Sequence, residues 1–257
     1  MKIASWNVNS LRARLIHVLD WLVTAEPDVL GLQETKLTDD NFPVADFESL
    51  GYRCAFSGQP AYNGVAILSR LPITDVVTDL DDIDDPQRRV LGATIGSLRV
   101  LNLYVPNGQS VGSDKYQYKL GWLAALLRQL EGELARHERV AVLGDFNIAP
   151  ENRDVHDPVA WEGKVLCSAK ERAALAEILA LGFADTYRLF DQPERGFSWW
   201  DYRAAAFRRN RGLRIDLILA SAALSRDCIR STIDVAPRKR ERPSDHAPVY
   251  AEFDIGA

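Results

Sequence analysis

Apolar runs of four to six residues recur along this chain, and most end on an Asn, Gln, Glu, Asp or Tyr. Such runs read as short buried strands. Lys2 to Val8 opens the chain as one. Val29 to Leu32, Gly64 to Leu68, Arg139 to Gly144, Ile215 to Ala220, Ile229 to Val235 and Val249 to Phe253 follow. Val90 to Ile95 and Leu98 to Tyr104 read as a hairpin closed at Gly96-Ser97. Helical spacing intervenes. Leu11, Leu15, Val18, Leu19 and Leu22 mark an amphipathic helix that Pro27 ends. Asp114 is placed to cap a long helix with Leu120, Leu123, Leu127, Leu130 and Leu134 on one face. Ser168 and Glu171 have the spacing of a capping box, with Gly182 closing that helix. Helices alternate with strands but hairpins intrude, so the expected class is α/β with mixed sheets. No repeat or linker composition divides the 257 residues, and one domain spanning 1–257 is expected.

With 47% hydrophobic and 26% charged residues the chain can bury a core, which excludes a disordered polymer. No apolar run approaches the roughly 20 residues that cross a bilayer. The opening Met1-Lys2-Ile3-Ala4-Ser5-Trp6 lacks the apolar stretch of a secretory signal. Cys54, Cys167 and Cys228 are scattered and odd in number, which fits a reducing compartment and a cytoplasmic protein. The net charge of −5 argues mildly against nucleic acid as partner, but its distribution is uneven. Residues 195–257 carry 12 basic and 8 acidic side chains. The acidic stretch Asp79 to Asp85 reads as a solvated loop, which would lie away from any phosphate backbone.

The residues at the strand ends suggest chemistry. Asn7 and Asn9 follow the first strand, Gln33 and Glu34 the second. Tyr104 and Asn107 follow Val100 to Leu103, and Asp145 and Asn147 follow Val140 to Gly144. Asp216 lies in a late strand, and Asp245 and His246 precede the last. A lone Asp or Asn after a strand is most often a turn former, and a lone His is most often structural. The whole set at one type of position is different. Carboxylates gathered on one rim repel each other unless a hard cation or a His lies among them. Oxygen donors without Cys or clustered His suit Mg²⁺ or Mn²⁺ rather than zinc. That combination suits phosphate-ester hydrolysis.

The motifs Ser5-Trp6-Asn7-Val8-Asn9, Leu32-Gln33-Glu34-Thr35-Lys36, Tyr104-Val105-Pro106-Asn107-Gly108, Gly144-Asp145-Phe146-Asn147, Leu213-Arg214-Ile215-Asp216 and Ser244-Asp245-His246-Ala247-Pro248 together resemble the exonuclease III family. These are bacterial apurinic/apyrimidinic endonucleases of the endonuclease/exonuclease/phosphatase superfamily. The motifs keep the family's order from residue 1 to 253. The resemblance implies a DNase I-like, four-layered α/β sandwich: two mixed sheets flanked by helices. It implies Glu34 as principal metal ligand with Asn7 and Asp245 nearby, and Asp145 as the group that activates water. Asn147, Tyr104 and Asn107 would hold the scissile phosphate, and His246, oriented by Asp216, would stabilise the transition state. Family members cleave DNA 5′ to abasic sites, trim 3′ blocking groups and degrade duplexes from 3′ ends. A monomer acting on double-stranded DNA, with no membrane, is the implied setting.

In the family an aromatic at the place of Trp199 packs against the flipped-out abasic sugar, and here Leu213 and Ile215 would complete that pocket. Trp200 reads as core. Arg203, Arg208, Arg209, Arg211 and Arg214 cluster nearby and would contact phosphates. Most of Arg238 to Arg242 read as solvated charges. Asn9 and Asn210 join the substrate-binding candidates. The loop Gly108 to Ser113 lacks the long cation that some relatives insert into DNA. Two rivals share this fold: a phosphoesterase acting on a phosphoinositide or sphingolipid, and a non-catalytic DNA-binding module.

Overall fold

Residues 1–255 are described by a computed structural model. Its strands are β1 (Lys2–Asn7), β2 (Val29–Gln33), β3 (Arg53–Ser57), β4 (Val65–Ser69), β5 (Thr74–Val77), β6 (Val90–Ile95), β7 (Leu98–Tyr104), β8 (Arg139–Asp145), β9 (Ala184–Asp185), β10 (Asp216–Ala220), β11 (Cys228–Ile233) and β12 (Val249–Phe253). They form two six-stranded sheets, ordered β11-β12-β1-β2-β4-β3 and β5-β6-β7-β8-β10-β9. Each sheet holds one parallel pair, β1 with β2 and β7 with β8, among antiparallel neighbours. Both sheets are therefore mixed, as the interleaved helices and hairpins require. The helices are α1 (Leu11–Ala25), α2 (Val44–Glu48), α3 (Asp114–Arg136), α4 (Pro158–Trp161), α5 (Ala169–Ala180) and α6 (Ala222–Arg226).

The uniformly apolar strands are explained by what covers them. Between the sheets, Ile3, Val29 and Ile67 meet Val100, Ala141, Leu143 and Ile218. Outside the first sheet, Ala4, Leu30 and Leu68 pack on Val18, Trp21 and Leu22 of α1 and Phe47 of α2. Outside the second, Leu101, Val140, Val142 and Leu219 pack on Trp122, Leu126 and Leu130 of α3 and on Leu175 and Ile178 of α5. Successive residues thus enter different cores, and neither face of a central strand tolerates a polar alternation. Four layers result. Each large aliphatic buried this way contributes about 1.5–3 kcal/mol relative to exposure.

One polar bridge crosses the inter-sheet core. Asn102 of β7 donates Nδ2 to the carbonyls of Leu32 (2.9 Å) and Ala66 (2.8 Å) in the opposite sheet. Its Oδ1 accepts from Gln33 Nε2 at 2.6 Å. Gly31 lies beneath it: a Cβ there would come within 2.3 Å of Leu143 Cδ1 and 2.8 Å of Asn102 Oδ1. The sheets approach this closely only because residue 31 has no side chain.

Helix signals hold with corrections. Glu26 closes α1 in the left-handed region, just before Pro27. Ser113, not Asp114, caps α3: its side chain accepts from the Tyr116 N–H, and Asp114 is the first helical residue. There its carboxylate still faces the positive end of the helix. The buried stripe of α3 runs through Tyr116, Lys119, Leu123, Leu126, Leu130 and Glu133, while Leu120, Leu127 and Leu134 lie at its margin. Packing against α5 as well as the sheet rotates the stripe away from the leucine row. The Ser168–Glu171 capping box forms, and Gly182 follows α5 at φ +107°. The Asp79 to Asp85 stretch is anchored rather than freely solvated, because Leu80 and Ile83 pack into the α3 core. Asp81, Asp82 and Asp84 do face solvent. Among the described residues no helix is long and apolar enough to cross a membrane.

Candidate active site

The parallel strands β1, β2, β7 and β8 deliver their C-terminal ends to one rim, and the antiparallel β10 and β12 begin there. Asn7 pairs with Gln33 at the end of the first sheet's parallel pair, and Tyr104 with Asp145 at the end of the second's. Asp216 pairs with Asp145 across β10. Gly144 lets β8 turn its last residue into the cleft. Its φ is +145°, and a Cβ would sit 1.9 Å from the Leu103 carbonyl oxygen.

Asp145 is the centre of the arrangement. Its Oδ2 accepts from Asn7 Nδ2 at 2.9 Å and from Asn147 Nδ2 at 3.3 Å, and its Oδ1 from the Asn147 backbone N–H at 2.9 Å. Asn7 Nδ2 also reaches Glu34 Oε1 at 2.9 Å. His246 Nε2 stands 3.8 Å from Asp145 Oδ2. Glu34, Asp145 and His246 each offer an atom within 4.8 Å of the others. Asn107 Nδ2 donates to Asn147 Oδ1 at 3.0 Å, which joins the two asparagine loops.

On the other side of His246, Nδ1 donates to Asp216 Oδ2 at 2.9 Å. Asp216 is itself held by the Ser198 hydroxyl at 2.6 Å, and Ser198 Oγ accepts from the Ile215 and Asp216 N–H groups. Burial opposes charge on His246, but Asp216 and Asp145 outweigh it and raise its pKa to about 10. The two acids thus favour the imidazolium form, which is a donor at both nitrogens. Burial, reinforced by Asp216, raises Asp145 to about 7 against the opposing pull of His246. Burial and the charges of Glu34 and Asp145 push the Tyr104 phenol well above its usual range, so it remains an O–H donor.

The donor set fits a hard dication. Glu34 and Asp145 supply carboxylate oxygens, the preferred ligands of Mg²⁺ and Mn²⁺. Asn7 lies against both acids, donating Nδ2 to Glu34 Oε1 and Asp145 Oδ2. Asp245 lies beside His246, where its Oδ1 accepts from Asn9 Nδ2 (2.9 Å) and its Oδ2 from Trp199 Nε1 (3.0 Å). Lys36, absent from the candidate set, pairs with Glu34 Oε2 at 2.8 Å and donates to Asn9 Oδ1 at 2.5 Å.

The defining sequence pattern of the endonuclease/exonuclease/phosphatase family matches residues 4–246. This chain belongs to that family. Exodeoxyribonuclease III of Haemophilus influenzae is 37% identical to it, over 98% of this chain and 100% of the relative. A 3′ phosphatase from Neisseria, NExo, solved with a product DNA hairpin, superposes with a TM-score of 0.98 at 46% identity, covering 99% of this chain and 100% of that one. An AP endonuclease from Archaeoglobus fulgidus gives 0.95 at 42% identity, covering 99% and 100%. The chain is accordingly a hydrolytic DNA-repair nuclease of the exonuclease III type, and its two helix-flanked mixed sheets are the DNase I-like sandwich.

Other candidates of this exonuclease III-type nuclease lie outside the acid cluster. Trp199 bridges to Leu213 and to His246 by backbone pairing, and packs with Leu213 and Ile215 in one apolar cluster. Leu213 and Ile215 are fully covered, and Trp199 is the member that reaches the surface. Trp200 is core, as expected. Arg203 is exposed and paired with Asp201. Asn210 braces the loop behind Trp199, accepting from Trp200 Nε1 at 3.1 Å and bonding the Arg195 carbonyl. Arg214 is not a surface phosphate contact: it is buried between Asp154 and Asp185. Arg238 is not a solvated charge either. It lies against Trp200, Tyr202 and Phe207 and donates to the Ser244 carbonyl at 2.6 Å. Ser198 was legible only as a neighbour of Trp199, since nothing local shows that its hydroxyl reaches Asp216.

Proposed function

We propose that this nuclease hydrolyses DNA phosphodiesters with Mg²⁺ or Mn²⁺, cutting 5′ to abasic sites, digesting duplexes from 3′ ends and trimming blocked 3′ termini. The observation that carries the reading is Asp145, held by two asparagine amides within reach of both Glu34 and His246. A carboxylate so fixed can orient a water and take its proton. The imidazolium of His246 donates Nε2–H toward the phosphate, where negative charge grows in the transition state. Asp216 and Ser198 keep that ring aimed. Asn107, Asn147 and the Tyr104 hydroxyl hold the non-bridging oxygens. Glu34, with Asp145, would hold the ion; when bound it polarises the phosphoryl group and stabilises the leaving oxygen. Trp199, above Leu213 and Ile215, offers an apolar face to a sugar that lacks its base, and an abasic nucleotide leaves the stack at low cost.

Residues 1–257 then act as one catalytic domain, monomeric and cytoplasmic, with damaged double-stranded DNA as partner. The test is a duplex containing one tetrahydrofuran abasic analogue. A nick on its 5′ side with Mg²⁺, abolished by EDTA, is expected. No nick, together with hydrolysis of an inositol phosphate, would move the chain to the lipid-directed reading.

A further inference from the structure

Two of the loops in this cleft are tied together from behind. Lys119, on the second turn of α3, has no solvent exposure, and neither has its partner Glu171 on α5. Its ammonium donates to three acceptors: Glu171 Oε1 at 2.5 Å, the Asn147 carbonyl at 2.6 Å and the Asn107 carbonyl at 3.2 Å. All three donors of the ammonium are thereby used. Glu171 is equally satisfied, accepting also from the Leu166 and Ser168 N–H groups at 3.0 and 3.1 Å. A buried charge without such partners would be expelled or neutralised.

We propose that Lys119 is a positioning residue for phosphodiester hydrolysis, setting the spacing of the Asn107 and Asn147 loops; this rests on reading those asparagines as phosphate-holding groups. The geometry is specific. Asn147 lies in the left-handed region at φ +49°, a conformation that Asn tolerates but that nothing in a strand end enforces. Its N–H and side-chain amide face Asp145, while its carbonyl is held by Lys119. Residue 147 is gripped on both sides, and the same ammonium grips residue 107. The side chains of the two asparagines then meet at 3.0 Å. A neutral side chain of similar length would fill the space but release both carbonyls. Loss of the grip would loosen the groups that aim at the phosphate and at Asp145, so turnover falls more than binding.

The test compares the whole chain with Lys119→Met/Glu171→Gln, which removes both charges together. Leu22→Ala, on α1 in the core outside the first sheet, serves as a destabilised control. Cleavage of a tetrahydrofuran duplex and digestion of undamaged 3′ ends are measured at equal distances below each melting temperature. The side-chain amide NMR signals of Asn107 and Asn147 are recorded without DNA. Expected are displaced amide signals and a kcat at least tenfold lower with KM within threefold, while the control keeps kcat within twofold. A kcat within threefold of the parent, or an equal loss in the control, overturns the proposal. Should the parent digest 3′ ends but spare the tetrahydrofuran duplex, the substrate reading fails, and the same comparison is read on 3′ ends. Should the double variant not fold, Lys119→Arg replaces it: kcat lower by at least fivefold supports the proposal. Unchanged kcat, or loss of the fold in this variant too, overturns it.

Discussion

His246 and Asp216 are joined through Nδ1 at 2.9 Å in a site closed to solvent, and that contact keeps the imidazole charged. Asp216→Asn removes a negative charge from beside the ring. The folded-state pKa of His246 therefore falls, and the ring loses its proton at lower pH. If the imidazolium is the active form, the alkaline limb of the kcat profile moves to lower pH in this variant. His246→Asn removes the group altogether and is expected to lower kcat by about 10²–10⁴, with DNA affinity nearly unchanged. A pH–rate series and a binding titration in EDTA check both outcomes.

Glu34 meets Asp145 and His246 within 4.8 Å. Glu34→Gln keeps the shape but removes a charged oxygen ligand. The Mg²⁺ concentration for half-maximal activity is expected to rise at least tenfold, with saturating metal restoring much of the turnover. EDTA abolishes activity of the parent. Calorimetric titration of metal into parent and variant provides a readout independent of cleavage.

Trp199→Ala removes the partly exposed member of the Trp199–Leu213–Ile215 cluster and the donor to Asp245. Cleavage at the tetrahydrofuran site is expected to fall more than digestion of undamaged 3′ ends. Parallel kinetics on the two substrates decide the matter, and equal losses would remove the pocket from the mechanism.

Gly31→Ala brings a methyl group within 2.3 Å of Leu143 and 2.8 Å of Asn102. Overpacking of this kind costs about 1–3 kcal/mol. Urea unfolding is expected to show that loss as a lower midpoint at unchanged slope, with kcat retained.

The rim was readable because each acid or amide stands where an apolar run stops, and strand ends are marked locally. Runs through β1, β2, β4, β6, β7, β8 and β12 were visible for the same reason. Arg53–Ser57 and Thr74–Val77 were not, since edge strands carry exposed and charged residues that look like loop. Side chains whose meaning depends on distant packing were misread or passed over. Arg238 sits in a run of charges and gives no local sign of the Trp200, Tyr202 and Phe207 rings that cover it. Lys119 resembles any helical lysine until α5 supplies Glu171. Asn102 lies inside an apolar strand, and only the facing sheet explains it.

The strand order has a consequence for synthesis. β1, which carries Asn7, lies between β2 and β12, and His246 precedes β12 by only a few residues. β1 can pair with β2 early, but its other neighbour exists only once β12 has been made. A nascent chain halted between residues 217 and 245 has Glu34, Asp145 and Asp216 but no imidazole to set beside them. Cutting power would therefore wait for residue 246, and shorter nascent copies would spare DNA.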